Sequence, residues 1–226
     1  MYREIRAVYF DLGGVYYTEG FMEGLFSMAR KHGLDEEEFY RTAIDVIFTT
    51  GYVRGEAPEV DFWDQLAEAA GIDGNLFAER EIILAAFKPL PGMPDLAARI
   101  RDQVHLGLLT DQCNWLYELD ERDGLLTAFD TVVNSYEEGY TKRDMEIFRI
   151  ACQRFGLLPE EVAFFDDNPD NIDRANEFGM RAFLFENAER TEMVLAAEGL
   201  EITAAHSGSS AFRVPGSGDQ DLDLDP

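Results

Sequence analysis

The chain has 226 residues, of which 46% are hydrophobic and 12% aromatic; this is enough for one substantial core with an insertion and too little for two full-sized domains or for a disordered chain. Its formal net charge of −26, from 45 acidic against 19 basic residues, argues by repulsion against nucleic acid and anionic membrane surfaces as partners. The apolar runs are strand-sized, well short of the roughly 18 to 20 residues of a membrane helix, so no membrane span is expected. Cys113 and Cys152 have neither CxxC spacing nor a histidine close by, which points to ordinary core residues rather than a disulfide framework or a zinc site. The first residues mix charges and run straight into a strand, unlike a signal peptide, so a cytoplasmic location is the default expectation. Of the 19 basic residues only Lys31, Lys88 and Lys142 are lysines. That balance suits high-salt adaptation and codon bias equally well.

In chain order, residues 7–10 form a short apolar run that stops at Asp-Leu-Gly-Gly, the pattern of a buried strand ending in a turn. From 16 to 89 the strand signal disappears and apolar residues recur at helical spacing: Phe21, Leu25 and Met28, then Phe39, Ala43 and Val46, then Phe62, Leu66 and Ala69. Asp35 followed by Glu38 resembles a capping box and marks one helix start. Further strands are expected over 105–109, 131–133, 162–165 and 181–185. Helices are expected over 94–103, 115–119, 143–155, 169–178 and 188–198; the Asn168-Pro169 step supplies a cap and a first-turn proline for the fourth. Strands alternating with helices imply an α/β fold, a doubly wound parallel sheet with an inserted all-helical segment. Residues 1–15 and 90–206 would form the core, 16–89 a helical cap, and the Gly-, Ser- and Asp-rich stretch 207–226 a disordered acidic tail.

Ligands of such sheets bind beyond the carboxyl ends of the strands. Four polar stations stand there: Asp11, Thr110, Lys142 in the loop after the third strand, and the pair Asp166-Asp167. A lone Asp, Thr or Lys after a strand is more often a turn or cap residue than a working one. The adjacent carboxylates are different, because they repel each other and are rarely placed together without a cation.

The segments Phe10-Asp11-Leu12-Gly13-Gly14-Val15, Leu108-Leu109-Thr110, Gly139-Tyr140-Thr141-Lys142 and Phe164-Phe165-Asp166-Asp167-Asn168 resemble, in order, the four motifs of the haloacid dehalogenase superfamily. Their helical interruption falls where that superfamily inserts its cap on a Rossmann-like core. The resemblance is strongest to a phosphatase branch that includes sugar-phosphate phosphatases. It implies a Mg2+-dependent phosphatase in which Asp11 is the nucleophile, Thr110 and Lys142 hold the phosphoryl group, and Gly13, Gly14 and Asp111 line its pocket. Mg2+ would be held by Asp11, the Gly13 carbonyl, Asp167 and Asp166, with Asn171 orienting the carboxylates from behind. The implied partner is a small phosphorylated metabolite, and the implied assembly a monomer or homodimer. The pattern departs at Gly13, where most phosphatases of the superfamily have a second aspartate as general acid and base. Three readings stay open: a substrate with a good leaving group, a substitute acid among Tyr17, Glu19 and Asp111, or a weak or inactive member. A metal-independent dehalogenase and a phosphate- or metabolite-binding protein without turnover are the alternatives. Tyr16, Tyr17, Phe21, Phe48, Tyr52, Phe62 and Trp63 could include pocket residues, although aromatics at helical spacing are more often core.

Overall fold

The computed structural model describes residues 4–202; the expected tail at 207–226 lies outside them. Strand β1 (Ala7–Phe10) is followed by helices α1 (Gly20–His32), α2 (Glu36–Thr49), α3 (Glu59–Ala70) and α4 (Arg80–Ala86), with no strand between them. The chain then alternates: α5 (Met93–Ile100), β2 (His105–Thr110), α6 (Trp115–Asp123), β3 (Thr131–Asn134), α7 (Ser135–Glu138), α8 (Met145–Phe155), β4 (Val162–Asp166), α9 (Pro169–Phe178), β5 (Arg181–Leu184) and α10 (Ala188–Ala197). All strand pairs are parallel, in the order β3-β2-β1-β4-β5. The fold is the expected α/β, Rossmann-like one.

β1 and β4 are buried at every position because helices cover both faces, which is why they read as unbroken apolar runs. Alternation along β1 sends Val8 and Phe10 into one core with Met93, Leu96 and Leu195, and Ala7 and Tyr9 into the other with Phe148, Ala151 and Ala175. The first core continues without a break into α1–α3 through Leu25, Met28, Phe39, Phe62 and Trp63. Both cysteines are buried and unpaired, as expected.

The chain leaves β1 and returns to α5 along two adjoining segments. Thr18 ties them: its N–H donates to Lys88 O at 2.8 Å, its hydroxyl donates to Ala86 O at 2.6 Å, and it accepts from Lys88 N–H at 3.0 Å. No helix among the described residues is long and apolar enough to cross a membrane.

Three helix boundaries differ from expectation by two residues or more. The helix expected to start at 143 starts at Met145, because the Asp144 carboxylate turns back to accept from Thr141 N–H and hydroxyl, both at 3.1 Å, and holds the preceding loop. The one expected to end at 103 ends at Ile100, and the one expected to stop at 119 runs to Asp123, where Gly124 turns left-handed at φ 66°. Asp35 caps α2 by accepting from Glu38 N–H at 2.9 Å, and Asn168 caps α9 by accepting from Asp170 N–H at 2.9 Å.

Candidate active site

The chain runs outward from β1 through β2 to β3, then returns to place β4 on the other side of β1. The order therefore reverses between β1 and β4, which opens a crevice at their carboxyl ends. Asp11 and Asp166 stand on its two sides. Asp11 N–H donates to Phe165 O at 2.9 Å, which continues the ladder by one step and fixes where the side chain departs.

The four stations converge. Lys142 Nζ lies 2.7 Å from Asp11 Oδ2 and 2.7 Å from Asp166 Oδ2, with all three groups buried. The other Asp11 oxygen accepts from Leu12 N–H at 2.7 Å. Asp166 Oδ1 accepts from Asn168 N–H at 2.8 Å and from Asn171 Nδ2 at 3.1 Å. Thr110 is buried at the end of β2 and lines the cavity above it. Asp111 lines it too, but both its oxygens accept from the Lys142 backbone N–H, at 2.9 and 3.1 Å, so it anchors the lysine loop.

Asp167 points to the other side of the crevice, against Gly14. A Cβ at residue 14 would lie 2.1 Å from Asp167 Oδ2, so the carboxylate would have to move, and the backbone there has φ +72°, which favours glycine. Gly14, expected to line the phosphate pocket, is not on the cavity wall, whereas Gly13 is. Its part is the space it leaves for Asp167.

Asp11, Asp166 and Asp167 each offer an oxygen, all within 4.8 Å of one another. This all-oxygen set suits a hard divalent cation. Neighbouring charges and burial act on each of these groups. Burial pushes Asp11 well up against the pull of Lys142, with Asp166 and Asp167 adding to the rise. Burial and Asp166 likewise raise Asp167. Burial lifts Asp111 to about 6, and burial followed by Asp167 lifts Glu19 to about 7. Burial works against the Lys142 charge, yet Asp11, Asp166 and Asp111 together hold it well above the ordinary lysine value. The single ammonium leaves carboxylate charge uncompensated, and a cation placed among the three oxygens would balance it.

The cavity, about 720 Å³, lies between these strand ends and α1 and α2. Of the aromatics singled out by spacing, Phe21 and Phe48 reach it, while Tyr16, Tyr17, Tyr52, Phe62 and Trp63 are core. Tyr17 is thereby removed as a substitute acid, since its hydroxyl donates to Asp123 Oδ2 at 2.9 Å, away from the cavity. Spacing missed Tyr40, Arg41, Arg143 and Arg174 on the wall. Arg143 lies 3.5 Å over the Phe48 ring, bridging the lysine loop to α2, a contact that no local pattern announces.

A family model described as haloacid dehalogenase-like hydrolase matches residues 5–179, and the chain belongs to that family. Flavin mononucleotide hydrolase 1 of Arabidopsis thaliana is 26% identical over 144 residues, 62% of this chain and 59% of that protein. Glyceraldehyde 3-phosphate phosphatase of Methanopyrus kandleri is 27% identical over 199 residues, 78% of this chain and 82% of that protein. Five of the curated relatives are spanned over only 10% to 59% of their own length. Among solved structures, a haloacid dehalogenase family enzyme of Bacteroides thetaiotaomicron superposes with a TM-score of 0.69 at 21% identity, covering 85% of this chain and 98% of that one. The same enzyme is known in complex with magnesium and inorganic phosphate. The chain is thus a haloacid dehalogenase-like hydrolase with phosphatases among its relatives.

Proposed function

We propose that the protein is a Mg2+-dependent phosphatase of small phosphorylated metabolites, acting through an aspartyl-phosphate on Asp11. The observation that carries this reading is the Asp11, Asp166 and Asp167 oxygen cluster, closed on its inner side by Lys142. Mg2+ held by these carboxylates and the Gly13 carbonyl would supply positive charge to the phosphoryl oxygens. The remaining work falls to the chain's own groups.

Asp11 presents a carboxylate oxygen to phosphorus, forming the O–P bond as the ester oxygen departs. Thr110 donates from its hydroxyl, and the Lys142 ammonium places a fixed charge where negative charge builds. Asn171 and the Asn168 N–H hold Asp166 in one orientation, and Asp111 holds the Lys142 backbone, so neither reorganises during the reaction. Helices α1–α4, within 16–89, serve as the cap, and Phe21, Tyr40 and Phe48 from α1 and α2 exclude water and contact the substrate body. FMN and glyceraldehyde 3-phosphate, the substrates named for two relatives, are both phosphate monoesters, in keeping with this reading. A metal-independent dehalogenase would have no use for Asp167 and the glycine that accommodates it, which favours the phosphatase.

Phosphate release from an aryl phosphate, followed by a panel of phosphorylated metabolites, tests the reading. Activity is expected with Mg2+ and not in excess chelator. Asp167→Asn is expected to raise the Mg2+ concentration needed for half-maximal thermal stabilisation. Equal activity in chelator would refute the proposal.

A further inference from the structure

We propose that Glu19 is the proton donor and acceptor of this site, giving a proton to the leaving oxygen and later taking one from the attacking water. The inference rests on the phosphatase reading and extends it to a residue on the segment joining the core to the helical insertion.

The chemistry requires such a group. An alkyl phosphate expels an alkoxide, which needs a proton as the P–O bond breaks, and the water that cleaves the aspartyl-phosphate must lose one. Most acidic side chains at the strand ends are already committed. Asp11 is the nucleophile; Asp166 is held by Lys142, Asn168 and Asn171; Asp167 completes the oxygen cluster; and Asp111 has both oxygens on the Lys142 N–H. Lys142 is clamped between two carboxylates.

Glu19 is not committed. It lines the cavity with Asp11 and Gly13, and its carboxylate has no hydrogen-bond or ion-pair partner among the described residues. It occupies the cap position of α1 and makes no side-chain cap hydrogen bond there. Its carboxylate is therefore free to face the cavity.

Its location is equally specific. A Cβ built on Gly13 would meet Glu19 Oε2 at 3.4 Å, Oε1 at 3.5 Å and Cδ at 3.6 Å. The carboxyl group therefore fills the volume into which a side chain two residues after the nucleophile would project. Gly13 has no side chain to obstruct it.

The backbone that carries Glu19 is fixed on both sides. Thr18 is tied to Ala86 and Lys88, and Gly20 packs so tightly on Phe87 that a Cβ there would lie 2.4 Å from the ring and 2.7 Å from the Phe87 nitrogen. A group that must meet a transient alkoxide benefits from such rigid support.

The step balances. The Asp11 oxygen bonds to phosphorus, the ester P–O bond breaks with its electrons on the leaving oxygen, and that oxygen takes the Glu19 proton. Water then attacks the same phosphorus, its proton passes to the Glu19 carboxylate, and the P–O bond to Asp11 breaks to release phosphate and restore both groups.

The test compares the parent with Glu19→Gln and Glu19→Ala at saturating Mg2+, using 4-nitrophenyl phosphate and the best alkyl phosphate of the panel. The quantity read is kcat/KM, which reports phosphoryl transfer to Asp11. The alkyl value is expected to fall by on the order of 10² or more, and the aryl value by less than about tenfold, because nitrophenolate leaves without a proton. The half-saturating Mg2+ concentration is expected to stay within about threefold, as the residue donates protons rather than binding the cation. Equal proportional losses on both substrates, undiminished alkyl turnover, or a loss that tracks weakened Mg2+ binding would each overturn the proposal. So would a parent that turns over aryl but no alkyl phosphates. A parent inactive on every phosphate monoester sinks the phosphatase reading itself, and this inference with it, before any variant is made.

Discussion

Replacing Glu59 tests how the helical insertion is fastened to the core. Glu59, in α3, accepts at Oε1 from Trp63 Nε1 at 3.0 Å, Trp115 Nε1 at 2.8 Å and Arg80 Nε at 2.8 Å, and at Oε2 from Asn114 Nδ2 at 3.3 Å. Trp115 and Asn114 belong to the core side and the other two donors to the insertion, so one carboxylate joins both. In Glu59→Ala the two buried indoles lose their acceptor at about 1–3 kcal/mol each, and Arg80 loses one of its three carboxylate partners, keeping Glu81 and Glu118. These figures overlap because the donors share one oxygen, and a total of about 3–5 kcal/mol is expected. That corresponds to a fall in Tm of about 6–20 °C for a chain of this size. Glu59→Gln keeps an acceptor for the indoles and should lose only about 1–2 kcal/mol. Burial works against the Glu59 charge, yet the bonds from Trp63, Trp115, Arg80 and Asn114 outweigh it and hold the carboxyl below its ordinary 4.5. The stability tied to ionisation is therefore present above pH 4.5 and lost as pH falls through the folded value. Urea denaturation of the three proteins at pH 7 and at pH 4 reads all of this. A Glu59→Ala loss below about 1 kcal/mol at pH 7 would refute the joint role.

Asp11→Asn should abolish phosphate release on every substrate while leaving the circular dichroism spectrum unchanged, since an amide oxygen is a poor nucleophile; near-parental turnover would place the nucleophile elsewhere. Asp111→Asn should show a stability difference from the parent that grows with pH, measured by urea denaturation in chelator. Burial raises Asp111 to about 6, so the parent is most stable below the unfolded value of 3.8 and loses that contribution as pH rises through about 6, whereas asparagine does not. The gain of the variant should reach about 2 kcal/mol after discounting for partial exposure, and a difference independent of pH would contradict it.

The sheet was legible because β1, β2 and β4 are covered on both faces and so appear as apolar runs whose ends coincide with Asp11, Thr110 and Asp166. The Asp166-Asp167 pair was legible because like charges side by side call for an explanation within the sequence itself. Periodicity could say that Phe21, Phe48, Phe62 and Trp63 lie on helix faces, but not which face meets the cavity, since that depends on how four helices settle on the sheet. Asp111, expected to contact substrate, lines the cavity and also restrains Lys142, a pairing across 31 residues that no local pattern announces. The one-turn α7 is shorter than any periodic signal, and the start of α8 is decided by where the Asp144 side chain turns. Glu19 stood in the sequence only as one of three substitutes for a missing acid, and the geometry separates it from Tyr17 and Asp111.

That separation changes what an aspartate at position 13 should do. Gly13, unlike Gly14, does not take the left-handed conformation, so the backbone accepts Gly13→Asp. The obstacle is the neighbour. With Glu19 Oε2 3.4 Å from the new Cβ, the added carboxylate would stand against an existing one. Two unit charges about 4 Å apart at an effective dielectric of about 20 repel by about 4 kcal/mol, enough to make the pair share one proton or push the Glu19 side chain aside. Gly13→Asp alone should therefore lower kcat/KM for alkyl phosphates. Adding Glu19→Ala should recover part of the loss, since the space and the proton then belong to Asp at 13. Measuring both variants against Glu19→Ala alone completes a double-mutant cycle, with the coupling between the positions expected to be favourable to the double variant. Faster alkyl turnover in Gly13→Asp with Glu19 intact would mean that the two groups do not compete for one place and that Glu19 does not supply the proton.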